Sequence, residues 1–322
     1  MSAWGSAALY FGDSHTENAQ IALALLFACS GLAAIIALAF PHWRKLLVLS
    51  HVVFFTGVLV WWLTISPSND RVWQPDVAKL AYATFAGNRV TVHNIRNFDY
   101  QSEFDYRPAY YDKTFDLDKL QGVDLYAVYW MGPAIAHTLI SFDFGDENHL
   151  AISIEARKEA NESYSSIKGF FRQYELIYIV ADERDVVRLR TNYRHNPEED
   201  VYLYPITGPK ENAKRLLLDY IKKLNALRDK PVFYNTFNHN CTNTIWLHSK
   251  VNPGHLPFSW KILVSGYVPE YLYDQGRLDR SISFSELQKR SRINDSARQA
   301  DQALDFSARI RQPLIPSVQK KN

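Results

Sequence analysis

Two long apolar runs dominate the first part of the chain. Residues 19–40 contain no charged side chain, and residues 46–65 are likewise uncharged. Each run is about 20 residues long, which at about 1.5 Å of rise per helical residue spans a hydrocarbon core of about 30 Å. Both runs lack the polar stripe of a globular helix. The pattern therefore predicts a transmembrane helical hairpin over residues 19–66 rather than two buried core helices.

The connector between the two runs predicts their orientation. It carries Arg44 and Lys45, and short cationic connectors stay in the cytoplasm. Residues 1–18 contain Asp13 and Glu17 but no lysine or arginine, which argues against a cleaved signal peptide. We therefore expect residues 1–18 to form an external N-terminal tail, with the soluble domain on the same side.

The hydrophobic pattern after residue 66 predicts an α+β domain. Runs rich in β-branched and aromatic residues predict strands at 89–95, 123–130, 135–144, 149–156, 175–180, 186–191 and 201–206. Helices are expected at 78–85, 209–227, 242–249 and within 284–311, with a loop at 253–269. We assign residues 67–280 to the soluble domain and residues 281–322 to a C-terminal helical segment and tail.

Composition narrows the functional classes. A formal net charge of +2 without a basic helix argues against nucleic-acid binding. The chain has two cysteines, and Cys29 lies in the first apolar run, where it is an apolar filler. Cys241 therefore has no disulfide partner, and a lone thiol outside the cytoplasm is expected to be either buried or used.

Cys241 lies at the start of a predicted helix. Asn238 or Asn240 is a suitable N-cap for that helix. In the first turn, unpaired backbone N–H groups and the positive end of the helix dipole favour a thiolate. We expect Asn240 and Thr242 to serve in capping and in stabilising an oxyanion. The alternative is a buried structural cysteine, and the residues alone leave both interpretations open.

A thiolate catalyst needs an imidazole as its base. His137 lies on the apolar predicted strand 135–144, where a histidine satisfied by core contacts is the alternative interpretation. His239 and His248 are closer to Cys241 in sequence, but their spacing does not direct either ring at the sulfur.

The strand register suggests a third catalytic residue beside Cys241 and His137. Residues 145–148 read as a hairpin turn, and folding about Asp146 and Glu147 places His137 opposite Glu155 or Ala156. Cross-strand neighbours have Cβ atoms about 5 Å apart, so Glu155 can reach the imidazole. An ordinary salt bridge of Glu155 with a neighbouring cation, at 157 or 158, explains this residue equally well.

Several short motifs occur in order between residues 70 and 280: AHTLISF at 136–142, LAISIEAR at 150–157, YEL at 174–176, ADERD at 181–185, YNT at 234–236 and NCT at 240–242. Together they resemble the Lnb N-terminal periplasmic domain family of bacteria. That family is similar to permuted papain-like (NlpC-like) proteins, in which the histidine precedes the cysteine. The resemblance therefore implies an antiparallel sheet with a cysteine-bearing helix, in a periplasmic domain anchored to the inner membrane.

The resemblance also implies a chemistry. The family's namesake moves a fatty acyl chain from a phospholipid to the N-terminal amine of a lipoprotein. By position, Cys241 is the acyl-accepting nucleophile, His137 its base and Glu155 an orienting group. The implied partners are the phospholipid bilayer and an amine acceptor such as a lipoprotein N-terminus, and neither a metal nor another cofactor is expected.

The resemblance, together with the two apolar runs, therefore implies a membrane-anchored thiol acyltransferase. Phe258, Trp260 and Ile262 are the expected wall for the acyl chain, although core packing explains them equally well. In the namesake the membrane helices follow the domain, whereas here they precede it, so the acceptor's identity does not carry over. The alternatives are a papain-like cysteine hydrolase (peptidase or amidase) of the cell envelope and a non-catalytic envelope protein.

Overall fold

The computed structural model describes residues 1–12, 17–145 and 147–314, and the chain divides into two compact units. Unit 1 contains Met1–Trp73, Ala156–Leu176 and Pro231–Thr236. Unit 2 contains Gln74–Glu155, Ile177–Lys230 and the described residues from Phe237 onward. Three separate segments form unit 1, so contacts that are distant in sequence hold it together.

Unit 1 contains three helices: α1 (Ser2–Phe11), α2 (Glu17–Ala37) and α3 (Pro41–Thr64). α2 and α3 are long and apolar enough to cross a membrane, and they form the predicted hairpin. Pro41 is the first residue of α3, where the missing N–H of proline costs no hydrogen bond. Asp13, one of the two acidic residues of the predicted tail, lies outside the described residues.

α1 lies within residues 1–18, for which the sequence predicted no helix. It packs closely on the hairpin, because a Cβ on Gly5 would lie 2.4 Å from the Phe27 ring. His51 links all three helices through hydrogen bonds of 2.9 Å to the hydroxyls of Ser2 and Ser30. Small residues and interhelical hydrogen bonds are typical of helix contacts in membranes.

An eight-stranded mixed sheet lies mostly in unit 2. Its strands are β1 (Tyr82–Ala86), β2 (Arg89–Arg96), β5 (Tyr110–Asp116), β6 (Gly122–Tyr129), β7 (Ala136–Asp143), β8 (His149–Arg157), β9 (Glu175–Ala181) and β10 (Asp200–Ile206). A separate pair is formed by β3 (Asp99–Tyr100) and β4 (Tyr106–Arg107). The order is β1-β2-β9-β8-β7-β6-β10, and β5 also pairs with β2. β2 and β9 are parallel, so the expectation of a purely antiparallel sheet is wrong at that pair.

The helices of unit 2 follow or interrupt the strands. They are α4 (Glu183–Arg188), which continues as a π-helix over Leu189–Tyr193, α5 (Lys210–Asp229), α6 (Cys241–Ser249), α7 (Trp260–Leu263), α8 (Val268–Asp274), α9 (Phe284–Ser291), α10 (Asn294–Gln299) and α11 (Phe306–Arg311). α5 buries the predicted apolar stripe of Leu216, Leu217, Tyr220, Ile221 and Leu224. Each such side chain stabilises the fold by about 1.5–3 kcal/mol.

Three predicted elements are wrong. Residues 186–191 form helix rather than strand, because Asp182 accepts a hydrogen bond from the Arg184 backbone N–H and caps α4. Residues 82–86 form a strand instead of a helix, because Gly87 at φ +61° permits a tight turn into β2. The predicted loop at 253–269 contains α7 and the start of α8. Residues 315–322 of the predicted tail lie outside the described residues.

Candidate active site

The β7–β8 hairpin brings a histidine and a glutamate together. Leu139 lies opposite Ser153, and continuing this antiparallel register by two residues places His137 opposite Glu155. This is one of the two registers that the sequence allowed. Asp146 of the predicted turn lies outside the described residues, while Glu147 has a φ of +60°.

Helix α6 positions the cysteine. Asn240 is its N-cap, and the side-chain oxygen of Asn240 accepts a hydrogen bond of 2.8 Å from the Asn243 backbone N–H. Cys241 is the first helical residue, and its side chain is half-buried. Thr242 and Thr138 share a hydroxyl–hydroxyl hydrogen bond of 2.9 Å, which fixes α6 to β7. The backbone N–H groups of Cys241 and Thr242 have no carbonyl partner within the helix and point toward its N-terminal side.

Cys241, His137 and Glu155 form a hydrogen-bonded series. The Nε2 atom of His137 lies 2.8 Å from the Ser153 hydroxyl and 3.1 Å from Oε1 of Glu155. Ser153 in turn donates a hydrogen bond of 2.6 Å to the same Oε1. The imidazole also acts on the Cys241 thiol, because its charge and a side-chain hydrogen bond favour the thiolate. The Cys241 sulfur lies 3.7 Å from the Thr242 hydroxyl.

These contacts shift three pKa values. Burial opposes ionisation of the Cys241 thiol, but the charge and hydrogen bond of His137, with the Thr138 backbone N–H, outweigh it and lower the thiol pKa to about 7. Burial alone would lower the pKa of His137, but the Glu155 carboxylate raises that pKa to about 9. Burial opposes ionisation of Glu155 as well, yet His137 and Arg190 hold its pKa well below the usual range. A thiolate–imidazolium pair is therefore the stable form near neutral pH.

Arg190 is a site residue that sequence reasoning missed. It is buried on the π-helix that follows α4, and its guanidinium donates a hydrogen bond of 3.0 Å to Oε1 of Glu155. A second guanidinium nitrogen lies 3.2 Å from the buried carboxylate of Glu199. The pattern of residues 186–191 predicts a strand, and so it does not predict the direction of this side chain. The Asp182 cap was the available signal for a helix.

The other candidate histidines have different surroundings. His248 is buried, and its two ring nitrogens lie 2.7 Å from Asp219 and 2.7 Å from the Tyr178 hydroxyl. His239 is hydrogen-bonded to its neighbour Asn238 at 2.9 Å. Among the residues that the structure describes, no group of three or more His, Cys, Asp or Glu side chains could hold a metal ion.

Unit 2 contains an apolar cavity of about 170 Å³ that includes Thr242, whose hydroxyl lies 3.7 Å from the Cys241 sulfur. Thr138 and Thr242, which follow His137 and Cys241 in sequence, line it. The rest of its wall includes many aliphatic and aromatic side chains, among them Leu125, Ile140, Ala213, Leu216, Ile245, Trp246, Ile262 and Val268. Of the three residues expected to form the acyl-chain wall, Ile262 lines this cavity, whereas Phe258 and Trp260 are 51% and 59% exposed.

The fold and the site together define an α+β protein with a cysteine, a histidine and a glutamate in series and with two N-terminal helices that could span a membrane. The model of the Lnb N-terminal periplasmic domain family matches residues 106–266, which are half of the chain. The chain belongs to this family, and Cys241, His137 and Glu155 all lie in the matched range. Neither a curated protein nor a solved structure matches the chain. The permuted papain-like arrangement stays a prediction.

Proposed function

We propose that this protein is a thiol acyltransferase of the bacterial inner membrane. It transfers a fatty acyl chain from a phospholipid, through a thioester on Cys241, to an amine acceptor such as a lipoprotein N-terminus. The observation that carries the proposal is the position of Cys241 at the first turn of α6, where the charge of His137 lowers the pKa of the thiol to about 7. A thiolate of this kind is a competent nucleophile at neutral pH.

In the first half-reaction, the Cys241 thiolate attacks the ester carbonyl of the lipid. A carbon–sulfur bond forms, and the negative charge moves to the carbonyl oxygen, where backbone N–H groups of the first turn of α6 stabilise it. The ester carbon–oxygen bond then breaks. The His137 imidazolium donates its proton to the leaving lipid alkoxide, which yields a thioester and a lysophospholipid.

In the second half-reaction, the neutral His137 accepts a proton from the attacking amine. The amine nitrogen bonds to the thioester carbon, the carbon–sulfur bond breaks, and the thiolate returns beside the imidazolium. Glu155 stabilises the imidazolium in both halves through its contact of 3.1 Å with Nε2. Ser153 supports this contact by donating to the same carboxylate oxygen.

The apolar cavity supports a hydrocarbon substrate. Its volume of about 170 Å³ is close to that of an apolar protein cavity of about 150 Å³ that binds benzene. By this comparison it encloses a segment of about six carbons, and a longer chain extends beyond it. Thr138 and Thr242 are the lining residues next in sequence to the proposed base and nucleophile.

The fate of the acyl group tests the proposal. The full-length protein is incubated in detergent micelles with a phospholipid carrying a tagged acyl chain, with and without a diacylated lipopeptide whose N-terminal amine is free. We expect the tag on the lipopeptide amine with wild-type protein and none with Cys241→Ala or His137→Ala.

The same experiment separates the alternatives. Release of the tag as free fatty acid, with none on the amine, identifies a hydrolase acting on lipid. When cell-wall peptides are added to the incubation, their cleavage without release of the tag identifies an envelope peptidase or amidase. A non-catalytic protein releases and transfers nothing, and its Cys241 reacts with alkylating reagents only after denaturation.

A further inference from the structure

A segment of unit 1, residues 164–172, packs against the end of α3. Residues 168–170 form a single 3₁₀ turn, and the segment is held by Tyr174 and Thr236 of the same unit. The Tyr174 ring stacks with the Tyr164 ring at a centroid distance of 6.0 Å. A Cβ on Gly169 would lie 2.3 Å from the Thr236 hydroxyl, so this position accepts only glycine without rearrangement. The segment is therefore built into the fold of unit 1.

Arg172 joins this segment to the last turn of α3. One guanidinium nitrogen donates hydrogen bonds of 3.0, 3.1 and 2.9 Å to the carbonyls of Trp62, Leu63 and Ile65. The guanidinium also lies 4.1 Å from the centroid of the Trp62 ring. The last carbonyls of a helix lack partners within the helix, and a cation there complements the helix dipole. Arg172 therefore fixes the segment at the level where the membrane helix ends.

Phe171 extends this attachment into the helix bundle. It is 8% exposed and belongs to a cluster with Phe27 and Val58 of the hairpin. Its ring stacks with that of Phe11 in α1 at a centroid distance of 5.7 Å. The segment is thus anchored by a buried aromatic side chain and by a cation at the helix end.

The remaining apolar side chains of the segment are exposed. Ile167 is 55% exposed and Phe170 is 42% exposed. Side chains three residues apart in a 3₁₀ turn eclipse one another, so these two share a face. The neighbouring end of α3 is also apolar and exposed, with Val60 at 57% and Leu63 at 56%. Exposed apolar side chains are therefore present both at the end of α3 and on the segment that Arg172 joins to it.

We propose that segment 164–172 is a second membrane contact, in which Ile167 and Phe170 insert into the outer boundary of the bilayer beside the end of α3. The partner of this exposed face is a lipid surface, because the segment is fixed to the end of a helix whose other exposed side chains face lipid. Tryptophans such as Trp61 and Trp62 are typical of this interfacial depth. Lys168 adds a cation next to the lipid phosphates, where basic side chains are favoured.

Spin labels measure this contact directly. The full-length protein with Cys29→Ala and Cys241→Ala is placed in nanodiscs of phosphatidylethanolamine and phosphatidylglycerol, and a single label is attached at Ile167→Cys or at Phe170→Cys. Collision rates are measured with oxygen, which partitions into lipid, and with a water-soluble nickel complex. Asn161→Cys is the matched control, since Asn161 is an exposed polar residue shortly before the segment.

For labels at 167 and 170, the ratio of the collision rate with oxygen to that with nickel should be several-fold higher than for the label at 161. The proposal is overturned if they are as accessible to nickel as the control. It is also overturned if both reagents are excluded, because a second copy of the chain or another protein would then cover the face. The two positions report independently, and the background lacks the Cys241 thiol, so the outcome does not depend on the proposed chemistry.

Discussion

The Arg190 guanidinium donates a hydrogen bond of 3.0 Å to Oε1 of Glu155, the same oxygen that lies 3.1 Å from Nε2 of His137. The Ser153 hydroxyl donates to this oxygen as well, at 2.6 Å. The charges therefore alternate from the Cys241 thiolate through the imidazolium and the carboxylate to the guanidinium. Each group favours the ionised form of the next, which is how a half-buried thiol keeps a low pKa.

Removing the Glu155 charge should raise the pKa of the Cys241 thiol. Glu155→Gln keeps the size of the side chain but removes the carboxylate that raises the His137 pKa. The neutral imidazole no longer stabilises the thiolate, so the thiol pKa should move toward its ordinary value of about 8.5. In a Cys29→Ala background, we expect iodoacetamide to alkylate Cys241 about tenfold more slowly at pH 7.

Glu198→Gln is the matched control for this substitution. The Glu198 side chain is 57% exposed and pairs with Arg298. Its loss should leave the alkylation rate unchanged. Equal rates for Glu155→Gln and wild type would show that the Glu155 carboxylate does not act on the thiol.

The rate of acyl transfer should rise with pH near 7 and fall again near 9. The thiolate forms as pH rises through about 7, and the imidazolium is lost as pH rises through about 9. Both are needed for the first half-reaction, so the rate of acylation should reach a plateau between these values and fall on either side. The two apparent values belong to the pair rather than to single residues. A rate that rises steadily from pH 7 to pH 10 would contradict the ion-pair mechanism.

Arg190 should contribute more to stability than its neighbour Arg194. Arg190→Gln removes the guanidinium from Glu155 and from Glu199, and the loss of one partner of the buried Arg190–Glu199 pair costs about 3 kcal/mol. Arg194 also binds Glu199 but is 28% exposed, so Arg194→Gln should cost about 1 kcal/mol or less. The free energy of unfolding, measured by chemical denaturation in detergent, checks this order. Equal losses for the two variants would refute it.

The sequence predicts the pairing of the β7–β8 hairpin to within one residue, but it does not predict every residue of the site. Counting residues from the β7–β8 turn places His137 opposite Glu155 or Ala156, and the structure has the first of these two registers. Local chemistry likewise offers Asn238 or Asn240 as the N-cap, and the structure has Asn240. Ser153 lies two residues from Glu155 on the same strand face, and this spacing was the signal that could have identified it.

Arg190 could not be found in the same way. The run of residues 186–191 contains several β-branched side chains, which predict a strand. The same apolar pattern fits a helix that buries Val186 and Val187, and this is what the structure shows. The cavity wall could not be predicted from the sequence either, because it combines residues of β6, β7, α5, α6 and α8. The apolar character of Phe258 and Trp260 suggests wall residues, but the fold leaves both side chains exposed.

Filling the cavity should shorten the preferred acyl chain. Ala213 lines the cavity and is 4% exposed, so Ala213→Phe places a ring in the space proposed for the chain. One methylene in an apolar pocket is worth about 1–3 kcal/mol, so the rate with p-nitrophenyl octanoate should fall about tenfold relative to p-nitrophenyl acetate. The ratio of the two rates is used because it does not depend on the fraction of folded protein.

Trp260→Ala is the control for the cavity. Trp260 was an expected wall residue, but it is 59% exposed and does not line the cavity. Its removal should leave the octanoate-to-acetate ratio unchanged. If Trp260→Ala lowers the ratio and Ala213→Phe does not, the acyl chain binds elsewhere.

The central claim is that Cys241 accepts an acyl group from a phospholipid. Intact and tandem mass spectrometry of the full-length protein, after incubation with an acyl-tagged phosphatidylethanolamine, measures this directly. We expect a tagged acyl group on the peptide that contains Cys241, released by neutral hydroxylamine and absent from Cys241→Ala. A Cys241→Ala protein that carries the tag as fully as wild type would contradict it.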